Sequence, residues 1–403
     1  RRGRRGMSAE PSRPVGQAWL PEPSGLAQLG ILLLILVGGL ALAASALYAL
    51  LILLFRGQPV EGALALAVAA VGLTLVVQGL RALDAAHWQR LTLPLGAGPA
   101  LLVVVWLLGL ATEARLGAAG WAFALLIPAA AGLASLTFLS AALRGLRAPA
   151  GRPPAGDLAP RHVVLLSAAT SAAFATLLSI LLEGLFLAVV GAILLSMTRL
   201  LGDPLTLEMI ERAVQSADPL TALEEIVARS PAALAALGCI MVFVAPAIEE
   251  TVKGLPLFVF ARRPPRLNER TAILLGVAGG VGFAFVENVG YLGMLTGSWG
   301  LALWLRVGAA VMHGAASGLV GRAWYRGRAQ GRWRAMLLDL AKAWAAHGLW
   351  NALALLAGWF TYREMTAGVL WCLGAGVLPL ALMFTLMAGW GIWVSEDDRP
   401  PFS

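Results

Sequence analysis

Ala245-Pro-Ala-Ile-Glu-Glu-Thr-Val-Lys253 puts two carboxylates and an ammonium in the middle of an apolar run long enough to lie in lipid. A charge at the centre of a spanning helix costs roughly 2.5 to 3.5 kcal/mol on insertion scales, so three of them put about 8 to 10 kcal/mol at risk. Ionisable residues kept at such a cost are functional suspects. On a helix Glu249 and Lys253 stand at i and i+4 on one face, while Glu250 points about 100° away. The expectation is that one carboxylate pairs with the lysine and the other is left free for chemistry.

The rest of the chain explains why this run belongs in a membrane. Its 403 residues are 59% hydrophobic and only 13% charged, with a mean hydropathy of +0.80. That is too apolar for a soluble globular protein of this length, and it implies an all-α polytopic membrane protein. Runs long enough to cross about 30 Å of hydrocarbon recur at 26–55, 63–80, 95–110, 121–143 and 163–195. A second group follows at 232–260, 271–292, 301–324, 337–360 and 369–393. About ten transmembrane helices are therefore expected, with the candidate catalytic residues on helices six to nine.

Loop charge supports an even count. Arginines gather in the N-terminal tail and near 81–90, 144–161, 262–270 and 322–334, and the loops between these groups carry little positive charge. By the positive-inside rule the arginine-bearing segments and both termini of this multi-pass protein are expected to face the cytoplasm. The net charge of +8 is thereby accounted for by headgroups and topology, and nucleic acid is not an expected partner. Residues 1–25 read as a basic cytoplasmic tail with no cleaved signal, because no short apolar stretch with a small-residue cleavage site follows it. Residues 26–201 hold the first five helices, 232–360 the catalytic core, and 361–403 the last helix and a cytoplasmic tail. Residues 202–231 form an acidic, extracytoplasmic segment with two amphipathic helices, each opened by an Asp-Pro pair. Cys239 and Cys372 match no metal or disulfide spacing.

Further polar residues converge on the depth of the opening stretch. At 1.5 Å per residue, Glu249, His313 and His347 lie roughly 15 to 16 Å from the cytoplasmic ends of their spans, and Glu287 roughly 24 Å. Asn288 adjoins Glu287, and His347 and Asn351 share one face at i and i+4. Pro246 should kink the sixth helix just ahead of the glutamates. Glu183 is a lone acid in the fifth span. A carboxylate able to take a proton from water, His and Asn donors able to hold an oxyanion, and a lysine beside the carboxylates compose a hydrolytic site.

Glu249-Glu250-x-x-Lys253, Phe283-x-x-x-Glu287-Asn288, His313 and His347-x-x-Trp350-Asn351 together resemble the PrsW family of bacterial intramembrane proteases. The motifs span residues 245–351; nothing in the first five spans or the last one matches. PrsW proteins resemble in turn the CAAX-prenyl endopeptidase and bacteriocin-processing superfamily, whose pattern is Glu-Glu, Phe-x-x-x-His and His-x-x-x-Asn. This chain departs there by carrying Glu287 in place of the first histidine. The resemblance implies a glutamic-type endopeptidase acting on a membrane protein, in PrsW proteins a single-span anti-sigma factor of a stress-signalling cascade. It implies that Glu249 activates water with Glu287, that His347 and Asn351 hold the oxyanion, and that Glu250 and Lys253 support them.

Two alternatives remain open at this level. A proton- or cation-coupled transporter would also keep Glu, His and Lys at the midplane, although here the polar residues have no counterpart in the first five spans. Three glutamates against one lysine leave excess negative charge, which a shared proton, a charged histidine or a divalent cation such as zinc would relieve. Glu287, His313 and His347 are the ligand candidates for such a metal. No His-Glu-x-x-His helix is present, and the expectation is a site with no metal cofactor.

Overall fold

A computed structural model describes residues 25–55, 59–83, 97–116, 122–146, 161–201, 238–254 and 268–362, together with residues 235 and 257. Every regular element among them is helical. In chain order these are α1 (Gly25–Phe55), α2 (Pro59–Leu83), α3 (Ala97–Leu116), α4 (Phe123–Gly145), α5 (Arg161–Thr170) and α6 (Thr176–Leu201). Then come α7 (Ala245–Lys253), α8 (Glu269–Met294), α9 (Trp299–Trp324) and α10 (Trp333–Tyr362). Wide, π-type turns occur at Ser171–Ala175, between α5 and α6, at Ile240–Val244, just ahead of α7, and at Tyr325–Ala329, after α9.

Seven helices among the described residues are long and apolar enough to cross a membrane, and they correspond to expected runs one to five, seven and eight. The expected count of ten is not reached. The sixth run is described only in part, and the tenth, with the acidic segment 202–231, lies outside the described residues. α10 contains the ninth run but is not among the seven; His347 and Asn351 interrupt its apolar stretch.

α8 and α9 form the centre of the molecule and are buried along most of their length. Glycine is what lets them approach so closely. A β-carbon at Gly276 would overlap the carbonyl oxygen of Ser317, and one at Gly280 would overlap that of His313. Small residues at such a crossing allow backbone-to-backbone contact that larger side chains forbid. α4, α5 and α10 pack around this pair, whereas α1 and α3 turn leucines such as Leu32, Leu36, Leu101 and Leu107 outward to where lipid would lie.

One end of the core is tied by buried charge. Arg322 of α9 donates from Nε and Nη2 to Asp339 of α10, at 3.1 and 2.8 Å, and Arg326 donates to the same carboxylate at 3.0 Å. Arg326 also lies 3.3 Å from Glu269 at the start of α8. Such forked pairing fixes the relative rotation of three helices, which sets where their polar residues meet one turn to several turns away.

Candidate active site

α7 begins where the chain has just made its wide turn at Ile240–Val244, and Pro246 sits in its first turn, where the missing N–H is least harmful. The turn frees backbone carbonyls. Asn351 of α10 donates its amide to the carbonyl of Met241 at 2.8 Å, and Gly348 leaves room for the carbonyl of Val242, which a β-carbon there would overlap. α10 is thus fitted to the irregular backbone ahead of the glutamates. Asn351, expected at an oxyanion, has one N–H bound to this carbonyl.

Lys253 corrects the expected pairing. Its Nζ donates to both neighbouring carboxylates, to Glu249 Oε2 at 2.9 Å and to Glu250 Oε1 at 2.8 Å. The helix explains this: positions i−3 and i−4 flank the lysine on either side of its own direction, so the ammonium settles between them. A third contact joins Nζ to His313 Nδ1 at 2.7 Å. The ring of Phe283 lies 4.0 Å below the ammonium, which places this motif residue as a wall of the site. Trp350, the other aromatic of the motifs, is buried against Gly308 of α9.

These contacts assign the histidine tautomers. An ammonium can only donate, so His313 Nδ1 turns its lone pair toward Lys253 and Nε2 carries the hydrogen. That hydrogen is donated to Glu287 Oε2 at 2.5 Å. His347 is arranged in the opposite sense. Its Nδ1 lies 2.9 Å from Glu250 Oε1, which can only accept, so Nδ1 carries the hydrogen and Nε2 is the lone-pair nitrogen, 3.8 Å from Glu249 Oε2. The two rings stand edge to face with centroids 4.8 Å apart. Each imidazole therefore presents a lone pair inward and leans on a carboxylate with its other nitrogen.

The carboxylates differ in how fully they are used. Glu250 is wholly buried and accepts from Lys253, from His347 and, through Oε2, from Ser317 Oγ at 2.9 Å. Glu287 accepts from His313 and from Arg306 Nη2, at 2.9 Å. Glu249 accepts from Lys253, and no other hydrogen bond reaches it among the described residues. Burial is uneven too: the side chains of Glu250, Lys253, His313 and His347 are 0 to 1% exposed, against 10% for Glu249, 12% for Arg306 and 23% for Glu287. The site opens on the Glu249 and Glu287 side.

Asn288 does not touch the histidines; it exchanges hydrogen bonds with Arg306, donating to its carbonyl at 3.0 Å and accepting from its Nε at 2.6 Å. Glu183 lies on α6, which packs against α7, and its Oε1 is buried with no hydrogen-bond partner among the described residues. Arg306 and Ser317 are the two contacting residues that sequence reasoning missed. Both carry a signal that was there to read: each shares the face of α9 with His313, one at i−7 and the other at i+4.

The expectation of a site without a metal is overturned. Glu249, Glu250, His313 and His347, all buried, each offer a ligand atom within 4.8 Å of the others. The donor chemistry fits a divalent cation such as zinc, and three of the four donors, Glu249, Glu250 and His313, already meet a positive charge, the Lys253 ammonium. The motif-based ligand set needs one change, since Glu287 reaches the outer nitrogen of His313 and stands behind it.

Comparison with known proteins bears on the same point. The sequence model of a family described as PrsW family intramembrane metalloprotease matches residues 159–381, more than half of the chain. The chain belongs to the PrsW family. It is therefore a peptidase and a membrane protein, and its family is described as metal-dependent. The match begins at the helix that starts α5, well ahead of the motifs, so family likeness extends to a span that carries no motif residue. No curated protein and no solved structure gives a match.

Proposed function

We propose that this chain is an intramembrane endopeptidase whose water-activating site holds a divalent metal on His313 Nδ1, His347 Nε2 and a carboxylate oxygen of Glu249. One observation carries this reading: His313 Nδ1 meets the Lys253 ammonium at 2.7 Å and His347 Nε2 faces Glu249 Oε2 at 3.8 Å, an oxygen that the same ammonium contacts, while the other ring nitrogens end on Glu287 and Glu250. Carboxylates behind metal-ligating histidines fix the tautomer and raise the basicity of the ligand. Glu250 already has three donors, which leaves Glu249 to supply the carboxylate ligand. A metal bound there would polarise the peptide carbonyl and make water acidic enough to ionise near neutral pH.

The chain's own groups account for the rest. Glu249, the least committed carboxylate, takes the water proton on its free oxygen as the water oxygen bonds to the carbonyl carbon. Lys253, on a flexible stem that lets its ammonium move aside, offers N–H donors to the developing oxyanion. The proton on Glu249 passes to the amide nitrogen as the C–N bond breaks, leaving one carboxylate and one amine product. The transporter alternative has no comparable support.

The substrate is a membrane protein; a single-span anti-sigma factor cut in a stress-signalling cascade is the form the family resemblance suggests. The arginine-bearing loops are taken to face the cytoplasm of a bacterial inner membrane, with both termini inside. For Glu249→Gln, cleavage is expected to fall by 10² or more while the protein still inserts and folds. Comparing membrane-protein fragments from cells with the wild type and with this variant tests both the residue and the substrate class. Near-normal fragments from the variant would remove Glu249 from the mechanism.

A further inference from the structure

We propose that Arg306 is a positioning residue that fixes Glu287 and, through it, the metal-ligating orientation of His313. The proposal rests on the metal site of the preceding section. An arginine inside a membrane span costs roughly 2.5 to 3.5 kcal/mol, so its presence in α9 needs a reason. Its contacts supply one. Nη2 donates to Glu287 Oε2 at 2.9 Å, and Nε donates to Asn288 Oδ1 at 2.6 Å. Asn288 returns a hydrogen bond to the carbonyl of Arg306 at 3.0 Å, and the Tyr291 ring lies 4.4 Å from the guanidinium carbon. Three residues of α8, two adjacent and one a turn further on, hold a single residue of α9 from three sides.

The consequence falls on one oxygen. Glu287 Oε2 accepts from Arg306 and from His313 Nε2 together. Glu287 is also the most exposed carboxylate of the site, so without the guanidinium its side chain would be free to turn outward to any available water. His313 would then lose the partner that keeps its hydrogen on Nε2 and its lone pair on Nδ1. The plain alternative is that Arg306 only neutralises Glu287 and pins α9 to α8. That role predicts lost stability but unchanged metal affinity in the folded protein.

Zinc titration of the full-length, metal-free protein in lipid nanodiscs, against a competing chelator, separates the two. Arg306→Gln and Glu287→Gln are each expected to weaken zinc binding 10- to 100-fold, the usual effect of removing an outer-shell partner. The double variant should be no weaker than either single one, because both act through the same hydrogen bond to His313. Arg306→Lys should recover part of the loss, keeping the charge without the two-pronged geometry. The visible spectrum of the cobalt-loaded protein should change alike in both single variants. Wild-type zinc affinity in a folded Arg306→Gln, or losses that add in the double variant, would overturn the proposal while leaving the metal site intact. A wild type that takes up no zinc would overturn the metal site and this proposal with it.

Discussion

Lys253 is the residue on which the buried charges depend. Its ammonium lies within 3 Å of two carboxylate oxygens and an imidazole nitrogen, and no other cation among the described residues reaches Glu249 or Glu250 within ion-pair distance apart from the histidines. Removing one partner of a buried ion pair costs about 3 to 5 kcal/mol, because the charge left behind stays desolvated. Metal-free Lys253→Met is therefore expected to unfold at lower denaturant or temperature than the wild type. Zinc should recover most of that loss, since a divalent cation can satisfy the same oxygens. Denaturation curves with and without zinc check this; a loss that zinc does not recover would mean that the ammonium and the metal do not share a seat.

At the scale of the helix, the site depends on how closely α8 approaches α9. Gly280 faces the carbonyl of His313, so even one methyl group there pushes on the backbone that carries a ligand. Overpacking of this kind costs about 1 to 3 kcal/mol. Gly280→Ala is expected to weaken zinc binding and slow cleavage while leaving the helix content unchanged. Gly290→Ala, on the same helix but with nothing within 4 Å of the added carbon, should be neutral or slightly stabilising. Circular dichroism and zinc affinity measured on both variants test the contrast, and equal effects at the two positions would argue against close approach as the cause. The wide turn before α7 works in the same way, because Asn351 and Gly348 of α10 are shaped to it.

Across the whole molecule, the proposed metal site joins helices that are distant in sequence. Glu249 comes from α7, His313 from α9 and His347 from α10, with Glu287 of α8 behind them. A ligand that binds only this assembled state stabilises it by about 2.7 kcal/mol when present at 100 times its Kd. A chelator is accordingly expected to lower the Tm of the full chain and abolish cleavage, and zinc to restore both. A Tm and an activity that ignore chelator and zinc would remove the metal from the protein. The buried Arg322–Asp339–Arg326 cluster holds α9 to α10 and, through Glu269, to α8 at one end, so the core should stay folded without metal.

The sequence by itself determined that the chain lies in a membrane, that its polar residues gather at one depth on the later helices, and that these residues resemble the PrsW motifs. Depth and helix face are written in the chain as spacing, which is why Glu249, Glu250, Lys253, Glu287, His313 and His347 could be named from it. What the tertiary structure decided is which atom of each meets which partner. Helical spacing gave Lys253 a single carboxylate, but its long side chain reaches two. It grouped Glu287 with the histidines as a ligand, but the crossing of α8 and α9 sets that carboxylate on the outer nitrogen of His313, and the inner nitrogen faces Glu249 and Glu250 at 3.9 and 4.0 Å. Asn351 looked like an oxyanion donor because it shares a face with His347, yet the wide turn before α7 brings the Met241 carbonyl to it first. Arg306 was not named from the chain at all; its partners, Glu287 and Asn288, lie on the neighbouring helix α8. The rotation and separation of packed helices fix these pairings, and both depend on contacts such as Gly280 against His313 that no local pattern records.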